Sequence, residues 1–503
     1  MENFNLLLGG LATALSVQNL FAATAGAIIG LVVGAMPGIG SLSGVALLLP
    51  LTFKMDPTTA VIMLAALYYS NMYGGSFSAI LINIPGDSPA VMTCLDGYPM
   101  VRQGKAGKAL NISTYSSFIG GTIGILILTF LGPALADWGL AFGPPELTWL
   151  IIFALTSIGW MLGDSPSKGL LSTAIGMLLA TIGLDKALGQ PRFAFDVPEL
   201  LSGINFIPLV IGMFGFGQVI DMVVNRANYT NAEYRKVTIR ESWLTKNEVI
   251  QIIPASLRAG FLGTFIGVLP GAGATMASFL SYLTEKRISK NSDAFGKGAP
   301  EGVASAESAN NAAAAGAFAP LLALGIPGSG TTAVLLGGLM MWGLKPGPML
   351  FKESPDFVWG LIGSMYIGNI ICLIIAVACI PIMSKVVRVP SAVMIPMISA
   401  ICIVGTYSTN NSMFDVGMMI AAGFLAYLMK LENLPDAPLL LSFVLTPMLE
   451  MYVRQSFDMS AGKLGVFVGS PISIALILCI IGLALAPAAM KIFKKFKAGG
   501  ITD

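Results

Sequence analysis

The chain contains no histidine among its 503 residues. That absence removes Ser-His-Asp and Cys-His catalysis, imidazole metal ligation and a histidine proton relay. Charge is scarce too: 11% of residues are charged, against roughly 25% in a soluble domain. With 55% hydrophobic residues and a mean hydropathy of +0.80, a soluble globular fold is excluded. The five cysteines, Cys94, Cys372, Cys379, Cys402 and Cys479, stand apart with no CxxC spacing, which argues against a zinc site or a disulfide framework and leaves them as small core residues. No basic n-region with a small-residue cleavage site precedes the first apolar stretch, so that span is expected to be retained. The net charge of +2 is scattered over short loops, and no nucleic-acid partner is expected.

What the chain does have is apolar runs of bilayer length, recurring from Leu11 to near Met490 and predicting about ten to twelve crossings. The fold expected is therefore an all-α polytopic membrane protein. Plausible spans include residues 112–131, 147–162, 170–184 and 204–224. The densest basic stretches are Arg226, Arg235, Lys236, Arg240 and Lys246, then Lys491, Lys494, Lys495 and Lys497, with Arg102, Lys105 and Lys108 as a third. The positive-inside rule puts all three, and with them the C-terminus, in the cytoplasm. Lys385 and Arg388, followed by four further spans, agree with that parity.

Sliding the chain against itself reveals a repeat. Gly30-Leu-Val-Val-Gly34-Ala-Met-Pro37-Gly38-Ile-Gly40 and Gly263-Thr-Phe-Ile-Gly267-Val-Leu-Pro270-Gly271-Ala-Gly273 share all four glycines and the proline at one constant offset. A second pair follows each: Asn83-Ile-Pro85-Gly86-Asp87-Ser88-Pro89 and Gly325-Ile-Pro327-Gly328-Ser329-Gly330-Thr331-Thr332. Upstream of the second break, Ser70-Asn71 in one half parallels Ser308-Ala-Asn310-Asn311 in the other. Residues 1–225 read as a first transmembrane repeat with breaks near 34–43 and 83–91, and 226–248 as a basic cytoplasmic linker. Residues 249–490 read as a second repeat with breaks near 267–275 and 325–334, and 491–503 as a cytoplasmic tail. Charge alone leaves open whether the halves are inverted or parallel; inverted halves with an elevator-like movement are the reading adopted.

Proline removes a backbone donor and glycine permits strained dihedrals, so these pairs interrupt helices inside the membrane. Irregular backbone at that depth must line a cavity, and paired interruptions in two related halves point to a transporter's binding site. Half-helix N-termini suit a carboxylate. The substrate-binding candidates are Pro37, Gly38, Gly40, Ser41, Ser43, Pro85, Gly86, Ser88, Pro270, Gly271, Gly273, Thr275, Pro327, Gly328, Ser329, Thr331 and Thr332, with no fixed arginine required. Gly26, Gly30, Gly34, Gly263 and Gly267 are read instead as helix-packing positions. Asp87 and Glu307, acidic and beside breaks, are candidates for ion coupling, either through Na⁺ or by taking up a proton, together with Asn71, Asn310 and Asn311. The bland reading of both acids is a helix N-cap. Glu301 and Asp96 are read as interfacial loop residues.

At these residues the chain resembles the large membrane subunit of tripartite tricarboxylate transporters. The carriers are Gly34-Ala-Met-Pro-Gly-Ile-Gly40, Tyr73 to Gly86 followed by Asp96-Gly-Tyr-Pro99, Gly267-Val-Leu-Pro-Gly-Ala-Gly273, Glu301 to Asn311, and Gly325-Ile-Pro-Gly328. The resemblance implies a bacterial inner-membrane carrier that takes up citrate or related carboxylates with Na⁺ or H⁺. It also implies a small membrane subunit and a periplasmic solute-binding protein as partners, and leaves room for a homodimer. Ser442 and Thr446 depart from it, standing where glycines are expected. Two rivals remain: a carboxylate or anion channel, since broken helices also build filters, and an intramembrane enzyme, for which no mid-span lysine partners a serine.

Overall fold

The computed structural model describes residues 2–36, 39–161, 166–185, 189–225, 242–271, 273–386 and 391–482. Pro37, Gly38, linker residues 226–241, Arg388 and the basic tail lie outside the described residues. Within them the chain is helical apart from two short antiparallel strands, Gly183–Leu184 and Pro191–Arg192. The protein is an all-α polytopic membrane protein, and eight helices are long and apolar enough to cross a membrane by themselves.

The first half comprises α1 (Glu2–Ala14), α2 (Val17–Ala35), α3 (Ser41–Thr52), α4 (Pro57–Ile82), α5 (Val91–Arg102), α6 (Ala106–Gly139), α7 (Pro144–Met161), α8 (Pro166–Ala180) and α9 (Phe206–Val224). The second comprises α10 (Lys246–Val268), α11 (Gly273–Ile288), α12 (Pro300–Gly316), α13 (Phe318–Leu324), α14 (Gly330–Met341), α15 (Pro355–Val386), α16 (Ser391–Asn410), α17 (Met413–Leu431), α18 (Asp436–Met459) and α19 (Pro471–Gly482). Local chemistry sets many of these boundaries. Asp56 accepts the Thr58 and Thr59 N–H groups with Pro57 opening α4, and Thr245 and Glu248 form a reciprocal capping box on α10. Asn83 (φ 58°) and Gly325 (φ 70°) end α4 and α13 in the left-handed conformation, one residue before each Ile-Pro-Gly break.

The repeated glycines work as close-packing positions. Gly26, Gly30 and Gly34 lie against the backbone of Met63, Leu67 and Asn71 in register, so α2 and α4 run in the same direction with backbones in contact. Gly263 and Gly267 lie in the same way against Ala309 and Ala313, pairing α10 with α12. Between halves the sense reverses: Ser76 lies beside Glu307 on α12 while Tyr68 and Tyr69 pack on Phe318 of α13, so α4 runs antiparallel to the α12–α13 stretch. The glycine register also revises one match. Asn71 occupies the place of Ala313, so Asn310 and Asn311 fall about a turn earlier in their half and are not its counterparts.

The pieces after the breaks form two crossed pairs, each joining the halves. α3 and α14 run alongside each other, with Leu42 at Gly330, Leu49 at Gly338 and Phe53 at Trp342. α5 and α11 run alongside each other and meet at Asp96 and Tyr282. The second pair ends on the face where α6 begins, beside the linker: Lys108 pairs with Glu248 at 2.6 Å and Asn111 donates to the Ser242 carbonyl. Outer helices are exchanged as well, α8 packing on α18 and α17 on α9. At the α8–α18 contact the small residue is Gly176, which abuts the Leu439 carbonyl and the Ser442 hydroxyl. The close approach at Ser442 is thus made by a glycine on the other helix.

Asp96 and Glu301 are not loop residues. Asp96 is fully buried on α5 and Glu301 is buried in the first turn of α12, where its Oε1 accepts from Gln251 at 2.7 Å. For Asp96, polar donors from the neighbouring half replace water, whereas Glu301 has one donor from its own half and its Oε2 is buried without a partner. Of the cysteines, Cys372 and Cys402 are buried as expected, whereas Cys479 is exposed.

A Cβ on Gly30 would collide with the Leu67 backbone rather than with a movable side chain. Gly30→Ala is therefore expected to cost about 1–3 kcal/mol through forced separation of α2 and α4, seen as a lower thermal unfolding midpoint in detergent. An unchanged midpoint would remove close packing as the reason for that glycine.

Candidate functional site

All four breaks open onto one cavity of about 250 Å³. Ser41 and Ser43 come from the start of α3, Asp87 and Ser88 from the approach to α5, Gly273 and Thr275 from α11, and Ser329 and Thr331 from α14. Segments nearly three hundred positions apart touch directly: the Ser41 and Thr331 hydroxyls are 3.0 Å apart, and Tyr68 Oη lies 3.3 Å from Ser329 Oγ. Four helix N-termini thus face one space, each carrying a positive partial charge. Among the described residues the lining has no lysine or arginine.

The backbone freed at the breaks is satisfied locally. Asp87 Oδ2 accepts the Ser41 N–H and Oδ1 the Ser88 N–H, both at 2.8 Å, so this carboxylate caps the turn before α5 and ties it to α3. Ser329 and Thr332 form a reciprocal cap on α14. Gly86 donates to the Gly75 carbonyl and Gly271 to the Gly328 carbonyl. Gly86 presses on the Gly34 carbonyl and Gly328 on that of Gly267, at matching places in the repeat. Gly40 is confined too, since a Cβ there would lie 2.8 Å from Asp87 Oδ1.

The candidates separate into two groups. Ser41, Ser43, Asp87, Ser88, Gly273, Thr275, Ser329 and Thr331 line the cavity; Gly40, Pro85, Gly86, Pro270, Gly271, Pro327, Gly328 and Thr332 belong to the breaks behind that lining. Glu307 lies elsewhere, fully buried between α12 and the first half, with its carboxylate bonded by Thr93 and Ser117 hydroxyls and near Asn310. It forms no ion pair among the described residues. Asn311 donates to the Glu307 carbonyl oxygen, and the side-chain oxygens of Asn310, Asn311 and Asn71 are buried without partners. The Glu307 carboxylate with its hydroxyl neighbours and Asn310 offers oxygen donors of the kind a hard cation takes.

Lining residues outside the motifs are Tyr68, Met72, Phe214, Asp436 and Ala437, besides Leu42. Phe214 projects from a stretch of π-helix, Ile211–Phe216, inside α9, and such insertions are frequent at functional sites. Asp436 begins α18 and has no counterpart in the repeat, so only its place directly after Pro435 at a helix start could have flagged it.

The arrangement defines a polytopic membrane transport protein whose broken helices converge on a polar cavity. Residues 20–441 match the profile of the tripartite tricarboxylate transporter TctA family, and the chain belongs to that family. Membership implies a tricarboxylate transporter subunit that works with partner subunits. The chain is 40% identical over 481 residues, 96% of its length and 95% of the relative's, to an Agrobacterium vitis protein described as an uncharacterized 52.8 kDa protein in the TAR-I ttuC' 3' region. It is 44% identical over 230 residues to an uncharacterized protein in the TAR-II ttuC' 3' region of the same organism, covering 45% of this chain and 95% of that one. No solved structure matches.

Removing the Asp87 acceptor strands two N–H groups, so Asp87→Ala is expected to destabilise by about 1–3 kcal/mol. Asp87→Asn keeps an acceptor oxygen and should lose less. Equal melting points for wild type and Asp87→Ala would contradict the capping role.

Proposed function

We propose that the chain is the translocating subunit of a binding-protein-dependent, cation-coupled system that takes up tricarboxylates or related carboxylates such as citrate. It works in the bacterial inner membrane with its C-terminus in the cytoplasm, beside a small membrane subunit and a periplasmic solute-binding protein. The observation that carries this reading is the convergence of four half-helix N-termini on a cavity rich in hydroxyls, with no basic side chain among its described lining residues. Backbone dipoles and hydroxyls can hold a carboxylate there without a fixed counter-charge. Two carboxylates, Asp87 and Asp436, share the lining, so an anionic substrate needs accompanying cations, Na⁺ or H⁺.

The coupling residues in this reading are Asp87, Glu307, Asn71, Asn310 and Asn311. Glu307 has hydroxyl partners and, among the described residues, no ion pair, so a cation bound beside it would lower the cost of its burial. The halves act as inverted repeats, supported by the parallel pairs α2–α4 and α10–α12 and by α4 running antiparallel to the α12–α13 stretch. Moving one set of elements against the other would expose the cavity to each face in turn.

Labelled citrate uptake should be measured in proteoliposomes holding this subunit and its small partner, with the binding protein and an inward Na⁺ gradient supplied or withheld. Accumulation requiring both is expected, and Ser41→Ala with Thr331→Ala should lower it by about tenfold or more. Equilibration that follows the solute's own gradient and never accumulates it would contradict coupling and point to a channel.

A further inference from the structure

The two crossed pairs of half-helices leave the cavity in opposite directions and are closed at their far ends by unlike chemistry. On the linker side, α5 and α11 meet at Asp96. Its Oδ1 accepts the N–H groups of Gly296, Gly298 and Ala299, each at 2.8 Å, and its Oδ2 accepts the Tyr282 hydroxyl at 2.8 Å. Gly296 and Gly298 have positive φ, 83° and 106°, which lets the chain before α12 curl around the carboxylate. Gln103 fastens the same loop through the Lys297 carbonyl. At the opposite end, α3 and α14 meet through Leu49 against Gly338 and Phe53 against Trp342, ring centroids 6.0 Å apart.

We propose that these contacts are the two gates of the cavity, and that Asp96 is the positioning residue that holds the linker-side gate shut. This rests on the cavity being the translocation site. The four donors to Asp96 come from the second half while Asp96 belongs to the first, so separating the halves at this seam breaks all four bonds together. A fully buried carboxylate is tolerated only while its donors are in place. Once the seam parts, water can replace them, so the latch is bistable: closed and dry, or open and hydrated. The opposite seam has no such exchange, because parting it exposes Leu49, Phe53 and Trp342 without giving water a charge to bind. The gates are related by the repeat but differ in what opens them.

The test places a single cysteine at Thr275, on the cavity wall, in full-length protein with the five native cysteines replaced, reconstituted in one orientation. A membrane-impermeant thiol reagent is then applied to each face in turn. Asp96→Asn is expected to speed labelling from the linker side by about tenfold with no change from the other face, and Tyr282→Phe to act on the same side by less. Trp342→Ala should speed labelling from the opposite face only. Equal acceleration from both faces by Asp96→Asn, or no effect of either Asp96→Asn or Tyr282→Phe, overturns the assignment. Tyr282→Phe removes one hydroxyl and keeps the test open if Asp96→Asn misfolds. Labelling requires no substrate, so its failure is distinguishable from a failure of the carboxylate reading, which the uptake assay reports.

Discussion

A backbone N–H or C=O group left without a partner inside a bilayer costs several kcal/mol, and this constraint governs the protein's interior. Four times the chain interrupts its helix, and the described groups freed there find partners within the same break or on a neighbouring segment. The Asp87 carboxylate takes two N–H groups, Ser329 and Thr332 cap one another, and Gly86 and Gly271 donate to carbonyls of neighbouring segments. The breaks are therefore a mutually supporting assembly rather than four loops. Its partners come from both halves, as the Ser41–Thr331 contact shows.

Close approach of helices is what allows that assembly. Lipid offers no hydrophobic drive for helix association, so packing at short range must supply it. Gly26, Gly30, Gly34, Gly263 and Gly267 bring backbones together, and Gly86 and Gly328 seat each second break on the end of the helix before the first. Four of the glycines that read as a repeat, Gly30, Gly34, Gly263 and Gly267, are positions where a methyl group would meet a backbone atom. Packing and site geometry are thus one property, seen at different distances from the cavity.

The all-α class and the four breaks were legible in the chain because Pro-Gly pairs with hydroxyl residues behind them are rare and occur in duplicate. Span 112–131 falls within α6 and 204–224 starts two residues before α9, while the stretch 170–184 runs beyond the end of α8 into a strand. The burial of Asp96 and Glu301 was not legible, since the groups that bond them, Tyr282 and residues 296–299 for Asp96 and Gln251 for Glu301, are distant along the chain. Tyr68, Phe214 and Asp436 were not legible because a cavity wall needs no motif of its own. The mismatch of Asn71 with Asn310 and Asn311 has another origin: glycine register follows backbone contact, whereas asparagines were compared by composition.

The two sets of breaks share a glycine pattern but differ in detail. One end of the crossed pairs is closed by a charged latch and the other by apolar rings, and one break is capped by an aspartate where its counterpart uses a serine. The central claim is that breaks from both halves meet at one cavity. Its most direct test is disulfide formation in native membranes between cysteines placed at Ser41 and Thr331, whose hydroxyls are 3.0 Å apart. Rapid, near-complete cross-linking under mild oxidation is predicted; cysteines there that stay reduced while a pair within one half cross-links would contradict the account.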